Sequence, residues 1–538
     1  MNFGSARGAN GMKYRTLLAK HGRWWARLAL TLLCLPLLAQ AQDLRFPIYE
    51  FEVRGNSLLS VDALESAVLQ HMGEAQSLKS VEAARAALAQ AYQDAGYLTV
   101  VVSIPEQNVD SGVVQLQVTE APVERLRVVG AQYALPSAVA QRLDQAQEGR
   151  VPNFTVLQQQ LDSVNRSADI KVSPVLKAGK TPGTVEVQLD VDDQLPLHGS
   201  IELSNRQSPN TTPTRVSAAL RYDNLWQAGH SLGMTMQTSP EQSSETGVLT
   251  ANYMLPLGGG GDALTTYLVS SRSQFASLSG GGSLGASDTL GLKYAQAFGT
   301  EDGLMQTLTW GADYKHILQS DVGGLRENQL RYLPLSLAYR GMWLVQPQPT
   351  VVDASLVLGV RGLLGNNDRD FDAKRSQALS SFAAMRAGWQ GSTDLPGYPN
   401  WSFNGKLEGQ LASGALLPSE QFVGGGVDSV RGYLEGERSG DQALRASFEL
   451  SSPSTKLGDL LGWRIRGLAF VEGAALQSLD SAAESFALLS FGLAARISGP
   501  RGLSISIDAA QALKDGAVLG GGTAAGTWRA HGRLSMDF

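Results

Sequence analysis

Trp528-Arg529-Ala530-His531-Gly532-Arg533-Leu534-Ser535-Met536-Asp537-Phe538 is the stretch whose reading decides the fold. Trp528, Ala530, Gly532, Leu534, Met536 and Phe538 fall on one face; Arg529, His531, Arg533, Ser535 and Asp537 fall on the other. A period of two marks a β-strand with unlike sides. The same pattern precedes it: Leu489, Phe491, Leu493, Ala495 and Ile497 alternate with Ser490, Gly492, Ala494 and Arg496, and Leu503, Ile505, Ile507 and Ala509 alternate with Ser504, Ser506 and Asp508. In a soluble sandwich the apolar faces turn inward to a core. In a membrane barrel they turn to lipid, and the polar faces line a wet lumen.

Working outward, sixteen candidate strands separated by Gly, Asn, Asp, Ser and Pro clusters run from Gly199 to Phe538. Their even number, the inward charges, and Trp226, Trp343, Trp389, Trp401, Trp463 and Trp528 near strand ends favour the barrel, as does an aromatic terminal residue on the lipid face. The expected fold is therefore a transmembrane antiparallel β-barrel of about 16 strands, residues 196–538.

Ahead of it, residues 46–195 read as one small α/β unit written twice, β-α-α-β-β in each copy, with expected bounds of 42–121 and 122–195. Arg54-Gly55-Asn56 ends the first strand, Ser60 caps a helix, and Gly96 stops a second helix. A three-stranded sheet of this kind leaves an open edge that an extended peptide can join.

The composition fits export. Arg23 and Arg27, an apolar run from Leu28 to Leu38, and Ala39-Gln40-Ala41 form a signal peptide over residues 1–41, with cleavage expected before Gln42 and Met12 as an alternative start. The sole cysteine, Cys34, lies in that run, so the mature chain has no thiol chemistry. A net charge of −6 gives no basic field for nucleic acid. No segment after the leader reaches the ~18 apolar residues of a membrane helix. The six histidines are scattered, so no metal site is expected. Gly280-Gly281-Gly282-Ser283-Leu284-Gly285 matches two enzyme motifs by spacing but lacks their strand-to-helix context, and reads as a flexible loop. No cofactor, P-loop or enzymatic activity is expected.

One loop stands apart. Phe422-Val423-Gly424-Gly425-Gly426-Val427-Asp428-Ser429-Val430-Arg431-Gly432-Tyr433 lies between strands eleven and twelve, in a segment 412–442 long enough to fold back into the lumen. Gly424, Gly425 and Gly426 read as a hinge, and Val430, Arg431, Gly432 and Tyr433 as the tip. On the next strand Arg464, Arg466, Leu468, Phe470 and Glu472 share a face, which puts Glu472 in the lumen near the strand end. Arg431 and Glu472 then fit a charge-assisted latch, and Arg431 fits a solvated lumen arginine equally well.

These residues, continuing through Glu435-Gly436-Glu437-Arg438-Ser439-Gly440-Asp441, resemble the VRGY/F loop of TpsB two-partner-secretion transporters of the FhaC/ShlB/HecB type, relatives of the barrel-assembly protein BamA. The two α/β units resemble POTRA domains, through Gly96-Tyr97, Ile104-Pro105-Glu106-Gln107, Asn165-Arg166 and Ala178-Gly179-Lys180-Thr181-Pro182-Gly183. The resemblance implies an outer-membrane pore with periplasmic POTRA domains. It would recognise an unfolded, largely β-helical exoprotein and export it without nucleotide. It also implies that the loop arginine pairs with the acid of an F-x-D-x-G motif, which by position is Phe470-Val471-Glu472-Gly473, with Glu for Asp and the Gly one residue early. The plug helix of some relatives has no room here, because the first strand begins about six residues after the expected cleavage site. The rival readings are a BamA-like insertase, which usually carries more POTRA units, and a passive porin or uptake channel, which needs none.

Overall fold

The computed structural model describes residues 45–538 except 210, 244, 259, 277–281, 302, 321–326, 345–348, 459–461 and 517–521. The leader, Cys34, Gly280 and Gly281 lie outside the described residues.

The first α/β unit contains strands β1 (Phe46–Ile48), β2 (Glu50–Arg54), β3 (Gly73–Gln76), β4 (Val101–Ser103) and β5 (Val113–Thr119), with helices α1 (Val61–Val68) and α2 (Leu78–Asp94). β5 is central, parallel to β2 and flanked by β4, and its Val114, Leu116 and Val118 alternate into the core. Ser60 accepts the Ala63 amide at 3.3 Å and starts α1. The first strand is interrupted at Tyr49, and its leading piece β1 pairs with β3, a strand that alternation does not announce.

The second unit has β6 (Val123–Val129), β7 (Ile170–Ala178) and β8 (Val185–Asp193), with α3 (Pro136–Arg142) and α4 (Phe154–Val164), in sheet order β6-β8-β7. Leu157, Leu161 and Val164, on one stripe of α4, bury against Val187 and Leu189 of β8.

Eighteen strand segments close the barrel. They are β9 (Leu197–Ser204), β10 (Arg215–Leu225), β11 (His230–Thr238), β12 (Thr246–Leu257), β13 (Asp262–Ala276), β14 (Gly282–Glu301), β15 (Leu304–Ser320), β16 (Glu327–Tyr332), β17 (Leu335–Trp343), β18 (Thr350–Leu358), β19 (Ala383–Asp394), β20 (Ser402–Ala412), β23 (Gln442–Ser451), β24 (Thr455–Lys456), β25 (Arg464–Gln477), β26 (Ser485–Ser498), β27 (Leu503–Ala512) and β28 (Trp528–Asp537). Between β20 and β23 lies a short hairpin, β21 (Phe422–Gly424) with β22 (Arg438–Gly440). β16 and β17 both pair with β15, and β23 and β24 both pair with β25, so the barrel has sixteen strands among the described residues. Pro334 and Pro453 sit at the two interruptions, where a residue without an N–H cannot continue the ladder. β28 closes on β9 from Arg533 opposite Ser204 to Asp537 opposite Ser200, and Gly199 and Phe538 exchange backbone bonds of 2.8 and 2.9 Å.

Lipid-facing Val471 and Leu493 are 51% and 67% exposed. Their neighbours Phe470, Glu472 and Ala494 are buried inside. Two expectations need correction. Gly282–Gly285 belong to β14, a strand longer than the bilayer needs, and are not a loop. Nor is the inner wall uniformly polar: Ala474, Leu476, Leu488, Ala510 and Ala512 face inward and are buried, because a folded segment covers them and turns that part of the wall into core.

Candidate functional site

Strands alternate direction, so with β9 leaving the second α/β unit the connection from β20 to β23 emerges at the opposite end of the barrel. It folds back into the lumen against β25, β26 and β27, where Val430 and Tyr433 pack with Ala474, Leu476, Leu488 and Ala512. Both are fully buried, and each side chain of this size contributes about 1.5–3 kcal/mol by leaving water. The Tyr433 hydroxyl lies 2.8 Å from the Lys514 carbonyl and 3.0 Å from that of Leu489.

Arg431 is the centre. Glu472 on β25 accepts from its backbone N at 2.8 Å, its Nε at 3.1 Å and its Nη2 at 2.7 Å. Asp508 on β27 accepts from Nη1 at 3.0 Å, and Glu449 on β23 accepts from Nη2. The guanidinium lies over the ring of Phe470, 3.5 Å from its centroid. Arg496 in turn donates to Asp508 at 2.6 and 3.0 Å, and Ser447 to Glu472 at 2.9 Å. The Gly432 amide donates to His531 Nε2 on β28 at 3.1 Å. One arginine thus ties a loop to three wall strands, and its neighbour ties it to a fourth. Only a planar fork with several N–H groups reaches so many acceptors at once.

The glycines divide by role. Gly425, Gly426 and Gly432 have φ of +98°, +103° and +93°, a region costly for other residues. Gly424 lies in β21, paired with Arg438, and is extended, so the bend begins one residue later. Gly492, opposite Phe470 in the ladder, leaves room for that ring: a β-carbon there would lie 2.5 Å from Phe470 Cζ and 2.2 Å from the Ala509 carbonyl oxygen. Gly492→Ala is expected to destabilise the barrel by about 1–3 kcal/mol through overpacking. The check is a lower temperature for loss of the folded band in gel-shift denaturation; an unchanged temperature disproves the fit.

Sequence reasoning missed a second anchor. Asp441 is fully buried and accepts from Arg375 Nη1 and Nη2 at 2.5 and 2.8 Å, from the Leu416 and Leu479 amides at 2.9 and 2.7 Å, and from Gln421 Nε2 at 3.1 Å. Arg375 follows α5 (Asp368–Lys374) in the β18–β19 connection and also meets Asp480 at 3.0 Å. Phe371 of α5 packs with Tyr332, Phe382, Leu416 and Leu417. Glu420 meets Lys315 at 2.5 Å and Tyr332 Oη at 2.7 Å. Three connections at the outer mouth are therefore joined through one carboxylate. Arg375 and Asp441 belong to no shared motif, which hid the pair from a reading along the chain.

At the other end Arg142 of α3 donates to Asn224 Oδ1 at 3.0 Å and to the Gln227 carbonyl at 2.8 Å, joining the second α/β unit to the first barrel turn. Asp169, His198 and Asp223 bring three donor atoms within 4.8 Å of one another there. Their partners are already protein groups: Gln194 and His198 on Asp169, and Ser231 and Arg221 on Asp223.

A closed barrel with apolar outer faces and a stoppered lumen, joined at its inner end to an α/β unit, is the architecture of an outer-membrane transporter with POTRA domains in the periplasm. The comparisons agree. Residues 46–121 match the POTRA domain of ShlB type, and residues 183–470 match the haemolysin secretion/activation protein ShlB/FhaC/HecB family. The chain belongs to that family: it is an outer-membrane transport pore, and its partner is a secreted exoprotein. Among relatives, the outer membrane transporter CdiB of Dickeya dadantii is 24% identical over 439 residues, covering 80% of this chain and 76% of the relative. The heme/hemopexin transporter protein HuxB of Haemophilus influenzae is 21% identical over 437 residues, covering 76% of this chain and 72% of the relative. The structure of CdiB from Escherichia coli shares the fold, with a TM-score of 0.67 at 17% identity, over 94% of this chain and 93% of that one.

Proposed function

We propose that this pore takes an unfolded, largely β-helical exoprotein from the periplasm, docks it on the POTRA sheets and releases it outside without nucleotide. Residues 1–41 are the leader in this reading, 42–121 and 122–195 the docking modules, and 196–538 the lipid-embedded pore. Transport is the whole of the proposed activity, with no reaction catalysed. A segment of the exoprotein adds as a strand to an open POTRA edge. It then enters the lumen as loop 412–442 withdraws, and folding on the far side biases its motion.

The observation that carries this reading is how the stopper is held. The tip from Gly425 to Leu434 meets the barrel wall through side chains, centred on Arg431 and its three carboxylates, while Glu435 gives one backbone bond of 3.0 Å to Gln207. A plug meant to stay would be built into a ladder. One held by an ion cluster can leave and return, because the charges can be solvated on the way.

The test is deletion of the gene followed by comparison of surface, medium and periplasm. The expected result is loss of one large exoprotein from the surface and medium, restored by the wild-type chain but not by one lacking 42–121. A general fall in outer-membrane barrels would point to an insertase instead. An unchanged exoprotein set would point to a porin.

A further inference from the structure

Below the Arg431 cluster, toward the periplasmic turns, the lumen holds a cavity of about 880 Å³. Its wall carries seven Arg or Lys side chains against four carboxylates, so the space is cationic even with the latch closed. The excess is concentrated on adjacent strands. Arg466 of β25 stands directly opposite Arg496 of β26, Arg496 opposite Ser506 of β27, and Ser506 opposite Arg533 of β28. All four residues point inward and line the cavity.

Like charges directly opposite in an antiparallel ladder destabilise it. A wall can relieve this with an interleaved acid, and among the described residues one close acid, Asp508, and one distant acid, Glu202, serve the three arginines. Asp508 holds Arg496, and it is already shared with Arg431. Arg533 reaches Glu202 only at 3.9 Å and Ser506 at 3.4 Å. Arg466 has no ion pair among the described residues. The belt is therefore short of anions on the route that the chain must take.

We propose that Arg466, Arg496 and Arg533 form an anion-binding belt that holds acidic segments of the unfolded exoprotein as they enter the pore. Guanidinium forks on neighbouring strands lie about 4.8 Å apart per strand step. Carboxylates at alternate positions of an extended chain lie about 6.6 Å apart on one side. The belt runs over three strand steps, about 14 Å, so three such carboxylates, about 13 Å from first to last, span it, each taking a bidentate or single charge-assisted bond. Because the forks belong to side chains, the bonds can pass from one acidic residue to the next as the chain moves. The inference rests on the export reading and names the chemistry of the segment that engages first.

The test uses the full-length protein in detergent and two fluorescent twelve-residue peptides, one alternating Asp with Gly and one alternating Lys with Gly. Anisotropy is expected to show the Asp peptide bound at least tenfold more tightly than the Lys peptide, with affinity falling as salt rises. The double variant Arg466→Ser with Arg533→Ser should lose that preference, while Arg496 stays to hold Asp508. Arg466→Lys with Arg533→Lys should keep part of it, since charge remains and the fork is lost. Wild-type protein that binds both peptides equally overturns the proposal whatever the variants do. So does a folded serine variant that still prefers the Asp peptide. Either failure leaves the export reading standing if gene deletion still removes one exoprotein from the surface.

Discussion

Arg431→Ala is expected to raise resting ion conductance in planar bilayers at least tenfold and to expose loop 412–442 to external protease. The reason is the number of charges that one side chain balances. Glu472 and Asp508 are each 2% exposed at the side chain and Glu449 25%, and all three lose their common partner. Breaking a buried pair by removing one member costs about 3–5 kcal/mol. Hydration from the cavity beneath reduces that figure, yet 1.4 kcal/mol already amounts to about tenfold in the open fraction. Glu472→Ala should act in the same direction and less strongly, because Asp508 and Glu449 still hold the guanidinium. Arg431→Lys should resemble alanine more than wild type, since an ammonium group cannot span carboxylates on three strands. With surface expression verified, wild-type conductance and export in both alanine variants would sink the latch.

Asp441→Ala is expected to loosen the outer mouth while leaving the Arg431 cluster in place. It leaves the Arg375 guanidinium with only Asp480 and the Leu416 carbonyl, and the Leu416 and Leu479 amides without their acceptor. Each orphaned buried donor costs about 1–3 kcal/mol. Protease added to intact cells should cut the connection 359–382 in this variant and spare it in the wild type; equal resistance refutes the anchor. The pH dependence follows from the same contacts. Burial pushes the Asp441 carboxyl up, but Arg375 and the two amides outweigh it and hold the group below its ordinary value. A depressed folded value stabilises the folded state above the unfolded pKa, near 3.9 by reference peptides, and that stability is lost as pH falls through the folded value. The mouth should therefore behave alike from pH 5 to 8 and loosen only in stronger acid.

Much of this molecule is legible along the chain because a strand in a membrane wall answers to two solvents at once. Ile465, Gly467, Ala469 and Val471 meet lipid while Arg466, Leu468, Phe470 and Glu472 do not, and the period of two states this locally. The interruptions of β16/β17 and β23/β24 were less visible, since a proline within a strand pattern also reads as a turn. The site was legible in part. Arg431 stood out because glycines deliver it, and Glu472 because it shares a face with Phe470. Glu449, Asp508 and His531 looked like any polar lumen residue, and no local feature distinguished them from Arg466 or Arg533. Nor did the apolar run Ala474, Leu476, Leu488 and Ala512 declare itself as a seat, for alternation tells inward from outward but not wet from dry.

The sequence by itself determined the barrel, the two α/β units before it and a glycine-delivered arginine between strands eleven and twelve, because alternation and turn residues act over short spans. Only the tertiary structure decided which carboxylates surround Arg431, that Asp441 joins three connections to Arg375, and that three arginines share one level of the wall. Those are matters of register between strands and of loops folding onto a distant surface. Closing a barrel fixes them all together, and no one stretch of chain carries that information.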